Sequence, residues 1–166
     1  MAKRVVVTGM GVISPIGNDV PTFWNNLVNG VCGIDYIQEF PTERLPVRIA
    51  GKVKDFHPEN YGMDKGFSRK QDLFTQYGVA AAYEAMNQAG LIAEGEGQNI
   101  DPFRLGVYVG SGIGGFEIQY RETAKMIEDP SGQWISPLFI PTMISNIAAG
   151  HIAIKNHAQG PCIDVV

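Results

Sequence analysis

Apolar residues first gather at Val5-Val6-Val7, a short continuous run of the kind buried on both faces of a parallel or mixed sheet, and Gly9 and Gly11 then turn the chain. Residues 21–29 place Phe23, Trp24, Leu27 and Val28 on one helical face, with Gly30 at the position that ends such a helix. Residues 40–66 are irregular and broken by Pro41, Pro46 and Pro58, although Val47, Ile49 and Val53 alternate with Arg48 and Lys52 as in a half-exposed strand. Ser68 and Gln71 have capping-box spacing ahead of a long helix reaching Ala89, with Gly90 past its end. Its apolar positions, from Leu73 and Phe74 to Met86 and Ala89, cover nearly the whole circumference, which predicts a largely buried helix.

Residues 93–97 predict a solvent-facing loop, residues 105–109 a second buried strand, and residues 110–115 a glycine turn into a helix from Phe116. An acidic Pro-Gly loop at 128–132 precedes a helix from Pro141 whose apolar face is Ile144, Ile147, Ala148, His151 and Ile152. Gly160-Pro161 then feeds a last strand. Strands alternating with helices define an α/β domain with a parallel or mixed sheet. Val165 and Val166 are strand formers with no polar tail after them, so the chain is expected to be the front part of a larger enzyme.

Composition narrows the class. With 166 residues, 45% of them hydrophobic and 18% charged, the chain can bury a sizeable core, which excludes disorder as its main state. A net charge of −4 leaves no overall footprint for nucleic acid or an anionic membrane. No segment approaches the roughly 18 uninterrupted apolar residues of a spanning helix, and Thr8-Gly9 interrupts the leader-like start. A soluble cytoplasmic protein is the expectation. Cys32 and Cys162 fit no metal or redox spacing and are expected to be buried free thiols.

The candidate chemistry is local. Gly110-Ser111-Gly112-Ile113-Gly114-Gly115 fits G-x-G-x-x-G after a strand, but Glu128 and Asp129 lie in a loop instead of ending the next strand, which disfavours dinucleotide binding against tight packing. His151 reads as a hydrogen-bonded core histidine, and His57 and His157 as solvated residues. None has metal-ligand spacing, so no metal site is predicted. Lys65, Arg69 and Lys70 gather at the start of the long helix, where the macrodipole disfavours cations unless an anionic partner reverses the balance.

One resemblance runs in order through the whole chain. It is carried by Arg4-Val5-Val6-Val7-Thr8-Gly9-Met10-Gly11 with Ser14-Pro15-Ile16-Gly17, by Gly110-Ser111-Gly112-Ile113-Gly114-Gly115, by Ile135-Ser136-Pro137, by Asn146-Ile147-Ala148-Ala149-Gly150-His151 and by Gly160-Pro161. These segments resemble the N-terminal part of a β-ketoacyl-acyl-carrier-protein synthase of the type II elongating kind.

The resemblance implies the first half of a thiolase-like α-β-α-β-α layered fold with a mixed sheet. It also implies that residues 1–166 form a half-domain truncated just before the nucleophilic cysteine of a Thr-Ala-Cys segment. That cysteine and both family histidines are expected beyond Val166, so no catalytic residue is assigned in this chain, Cys162 included, and residues 1–166 alone should be inactive. Within it, Gly112, Ile113 and Phe139 match acyl-pocket positions, Ile113 as a gate and Phe139 as a residue reaching the partner subunit. Arg69 and Lys70 match positions that meet the acyl-carrier protein. Lys65 stands one place before a family lysine that is Gly66 here. Acyl and malonyl phosphopantetheine thioesters on that carrier are the implied substrates, with no metal or redox cofactor and with a homodimer formed through the terminal strand. The alternatives are a non-catalytic chain-length-setting relative and a dinucleotide-binding module.

Overall fold

The computed structural model describes residues 3–166. Asp19 opens the first helix, α1 (Val20–Val28), by accepting the Thr22 N–H at 2.7 Å, and Gly30 follows its end with φ +69°. Two three-residue strands, β1 (Ile34–Tyr36) and β2 (Ile49–Gly51), pair antiparallel with Ile34 opposite Gly51. After a single 3-10 turn at Pro58–Tyr61 come α2 (Lys65–Lys70) and the long α3 (Leu73–Ala89). Then β3 (Val107–Gly110) leads into α4 (Phe116–Glu128), followed by α5 (Phe139–Met143), α6 (Ile147–Lys155) and β4 (Cys162–Val165). β3 and β4 lie parallel, Val107 beside Cys162 and Gly110 beside Val165. This alternation bears out the α/β reading.

α3 is the centre of the molecule. A Cβ added at Gly78 would meet Ala148 and Ile152 of α6 at ordinary van der Waals distance, so this face of α3 packs against α6. Met63, Val79 and Ala80 form one buried cluster and Val107, Ala149 and Ala153 another, with Ile152 packed against both.

Several expected elements take a different form. Residues 4–7 pair with no strand among the described residues, and Val5 is 92% exposed. An extended run becomes a strand only when a neighbour takes its N–H and C=O groups. The chain beyond it lies across α3, where Met10 N–H reaches Gln88 Oε1 at 2.6 Å and Val12 N–H reaches Glu84 Oε2 at 2.9 Å. Gly11 is required there, since a Cβ would stand 1.9 Å from the Ala81 carbonyl oxygen.

The Ser68–Gln71 capping box does not form. Asp64 caps α2 through the Phe67 N–H, Asp72 caps α3, and Gln71 between them is extended at φ −95°, ψ 140°. Carboxylates at the two true N-caps outcompete a hydroxyl inside the short helix. α3 is also less enclosed than its composition suggests, with Leu73 and Tyr83 exposed. The strand at 105–109 begins at Val107, its one buried position, and Tyr108 faces outward.

The helix predicted from Pro141 is two helices, parted where Ile144 turns extended. In the 93–97 loop Ala93 is buried. Cys32 and Cys162 are both exposed thiols, because one lies in the loop after α1 and the other opens a strand that, among the described residues, pairs only with β3.

Candidate active-site half and basic cleft

The parallel β3–β4 pair creates the focal point. Its strands end at the same level, and Ser111 N–H continues the ladder by donating to the Val165 carbonyl at 3.1 Å. The glycine turn then folds back onto the α5–α6 junction, with Gly115 N–H donating to Met143 O at 2.7 Å. Gly114 has φ +80°, and a Cβ on it would stand 2.4 Å from the Met143 carbonyl oxygen, so no other residue fits. Ser145, in that junction, donates its hydroxyl to Asp164 of β4. Turn, junction and final strand are thereby one hydrogen-bonded unit.

Asp72 locks α3 and α4 to this unit. It is 7% exposed, and its Oδ2 accepts the Ile118 N–H at 2.9 Å while its Oδ1 accepts the Phe74 N–H at 3.3 Å. One carboxylate from α3 therefore caps α4, whose own N-cap residue, Gly115, has no side chain. The arrangement also bears on dinucleotide binding: the helix end that would receive a pyrophosphate already holds a carboxylate.

Glu122 of α4 is 2% exposed. It pairs with Lys125 Nζ at 2.7 Å, accepts the Ser136 N–H at 2.8 Å and meets Arg121 Nε at 3.5 Å. The Lys125 hydrogen bond first, and the Ser136 N–H next, hold its carboxyl below the ordinary glutamate value. Through Ser136 it fixes the approach to α5 and so the position of Phe139.

The residues matched by resemblance to an acyl pocket fall in two neighbouring places. Gly112 and Ile113 are on the turn after β3, and Phe139 is at the start of α5. Contact between the turn and Met143 brings these segments side by side. Ile113 is 68% exposed and Phe139 half-buried.

The cations lie elsewhere. Lys65, Arg69 and Lys70 are all exposed on α2, separate from α3, and Arg69 and Lys70 occupy the last turn of α2, where the backbone dipole favours cations. This corrects their placement at the start of the long helix. Arg69 and Lys70 line a cleft of ≈ 210 Å³ together with Gln71, Gln76, Glu117 and Arg121. Gln76 Nε2, donating to the carbonyls of Ser68 and Gln71 at 3.0 and 2.8 Å, holds the corner between α2 and α3.

His151 is half-buried and packs edge-on against Phe67, with ring centroids 5.0 Å apart. Burial, and secondarily Lys155, push its pKa down. His57 and His157 are exposed beside Glu59 and Glu94.

Comparison with known proteins agrees with this geometry. The family model for the β-ketoacyl synthase N-terminal domain matches residues 2–166. A Staphylococcus aureus (strain COL) protein named 3-oxoacyl-[acyl-carrier-protein] synthase 2 is 44% identical over 160 residues, covering 96% of this chain and 37% of its own length. The Vibrio cholerae protein of the same name is 42% identical over 163 residues, covering 98% and 38%.

Among solved structures, the ishigamide ketosynthase/chain length factor superposes with TM-score 0.80 at 26% identity, covering 97% of this chain and 39% of that one. A type II polyketide ketosynthase in complex with its acyl-carrier protein superposes with TM-score 0.74, also at 26% identity, covering 95% and 40%. The chain belongs to the β-ketoacyl synthase family and has its thiolase-like fold. It spans less than two fifths of the length of the curated relatives it matches.

Neither Asp72 nor Glu122 is legible from sequence as a site-organising residue. The only signal either carries is acidity at or inside a helix, which is shared with many solvated residues.

Proposed function

We propose that the full-length protein is a 3-oxoacyl-[acyl-carrier-protein] synthase of fatty-acid elongation. The observation that carries this is the 44% identity, over 96% of the chain, to a protein of that name. The geometry supports it. Val165 and Val166 lie at the carboxyl edge of the β3–β4 pair, beside the turn at 110–115, which is where the resemblance would place the Thr-Ala-Cys segment of the full-length protein.

The cysteine thiolate attacks the carrier-bound acyl thioester and expels the carrier thiol, leaving an acyl-enzyme. Malonyl-carrier protein then loses carbon dioxide, and the electron pair released forms an enolate stabilised by the histidines of the second half. Its carbon attacks the acyl-enzyme, the cysteine leaves as thiolate, and the product is two carbons longer.

Gly112, Ile113 and Phe139 form part of the acyl channel, and Lys65, Arg69 and Lys70 part of the carrier-protein dock. The terminal strand β4 joins two copies in a homodimer, and the enzyme works in the cytoplasm. Incubation of the full-length protein with acyl-carrier protein should put one acyl group on a single cysteine, read by intact mass. Addition of malonyl-carrier protein should then release carbon dioxide.

A second reading, a non-catalytic chain-length-setting subunit, is favoured by the likeness to the ketosynthase/chain length factor. It predicts no acylation and no cysteine in the segment after Val166. The dock is tested separately. Arg69→Glu with Lys70→Glu should raise KM for acyl-carrier protein about tenfold and flatten its salt dependence, leaving a short acyl-coenzyme A substrate within about twofold. Equal losses on both substrates would remove these residues from the dock.

A further inference from the structure

The cleft between α2 and α4 holds a cation that the sequence resemblance does not assign. We infer that Arg121 is a further docking cation, which with Arg69 and Lys70 receives an acidic side chain of the carrier protein. This rests on the proposed carrier-protein dock and adds a specificity-determining residue to it.

Arg121 and the α2 cations are some fifty residues apart in sequence, yet they line one cleft of ≈ 210 Å³. That volume admits a carboxylate side chain and excludes a whole helix, so a partner must dock on the surface and insert a single group. The walls are fixed in relation to each other. Asp72 receives the Ile118 N–H, which pins the first turn of α4 to the start of α3, and Arg121 stands three residues further on, on the same face. Gln76 holds α2 against α3 from the other side. A preorganised pair of walls spares the ordering cost that a flexible charge cluster would incur on binding.

Arg121 also retains capacity for a ligand. Its ion pair is the 3.5 Å approach to Glu122, and that carboxylate is already satisfied by Lys125 at 2.7 Å and by the Ser136 N–H at 2.8 Å. The Arg121 side chain is 54% exposed, and its fork of donors suits a carboxylate.

Two acidic residues face the same space. Asp72 has both oxygens committed to backbone N–H groups, whereas Glu117 lines the cleft one helical turn before Arg121. Glu117 opposes an incoming carboxylate and so limits affinity, which suits a partner that must leave after each turnover. Gln71 contributes a further polar group: its buried Oε1 has no hydrogen-bond partner among the described residues, and rotation of the amide would present N–H donors in its place.

The test uses the full-length enzyme with acyl-carrier protein and, in parallel, a short acyl-coenzyme A. Arg121→Glu should raise KM for the carrier substrate roughly fivefold and lower its salt dependence, with acyl-coenzyme A turnover within about twofold. Glu117→Gln should lower the carrier KM. In combination with Arg69→Glu and Lys70→Glu, Arg121→Glu should add less than its separate effect, because all three meet one group.

If the α2 double variant weakens the carrier reaction and Arg121→Glu does not, the inference fails and the dock stands. Where neither variant changes it, the dock itself fails. Should Arg121→Glu damage both reactions, Arg121→Gln decides: a carrier-selective rise in KM supports the inference, and an unchanged KM overturns it.

Discussion

Glu122 and His151 show how single residues set the acid response of this chain, and both make its stability fall in acid. The carboxyl of Glu122 is held low by Lys125 and the Ser136 N–H, so its contribution is present above the unfolded glutamate pKa of roughly 4.3 and is lost as pH falls through the folded value. The imidazole of His151 is held low by burial, so protonation favours the unfolded chain once pH drops below about 6.5. In the full-length protein, Tm should therefore decline from about pH 6.5 downward and more steeply below about pH 4.5. Glu122→Gln should flatten the lower limb, and His151→Phe the upper one. A Tm profile unchanged by either substitution would contradict these assignments. Ile113 is the residue on which the acyl channel is most simply tested. Replacing it with Phe adds volume where the chain is proposed to pass, at a cost of about 1–3 kcal/mol of overpacking for a long acyl group. The longest acyl chain accepted should shorten while short chains react normally. An unchanged chain-length profile, measured by product analysis, would place Ile113 outside the channel.

At the scale of elements, the fold depends on helix ends borrowed from other elements. α4 begins at a glycine and takes its cap from Asp72 of the α3 start, so Asp72→Ala removes the caps of two helices together. At about 1 kcal/mol per cap, with a buried N–H of Ile118 left unpaired, the loss should reach about 2–3 kcal/mol in denaturant unfolding of the full-length protein. A loss below about 0.5 kcal/mol would show that α4 is held by packing alone. This borrowing also explains what was legible in the sequence. Elements closed by their own residues are legible: α1 with Gly30 after it and the end of α3 at Gly90. The turn from β3 into α4 and β4 after Gly160-Pro161 are legible through their glycines and proline, although distant partners hold them. Other elements that depend on distant partners are not. The 4–7 run had the composition of a strand without a neighbour among the described residues, and β1 was too short, with Asp35 at its centre, to show a period. The Ser68–Gln71 spacing imitated a cap because sequence cannot show that Gln71 is extended. The cations of α2 were visible as a cluster, whereas Arg121 joins their cleft through the fold alone.

The whole molecule leaves a large apolar surface uncovered. Val5, Val7, Trp24, Val28, Tyr108, Ile113, Tyr120, Ile127, Trp134 and Val165 are each at least 60% exposed, and they are distributed over the N-terminal run, α1, β3 and the turn after it, α4 and the loop after it, and β4. Soluble monomers rarely expose contiguous apolar patches beyond a few hundred Å². The β3–β4 pair adds a second liability, since each strand has one side unpaired by any strand among the described residues and Ile163 is exposed. Curated relatives are more than twice as long as this chain, and the proposed second half and second subunit would supply cover for these faces. Residues 1–166 expressed alone should therefore self-associate, with β4 among the contact elements, and should bind a dye that reports exposed apolar surface. Light scattering should show species larger than 18.1 kDa at micromolar concentration, and co-expression with the remainder of the protein should abolish them. A compact, monodisperse monomer of residues 1–166 would mean that the exposed faces are stable in water and would remove the case for β4 as a dimer element.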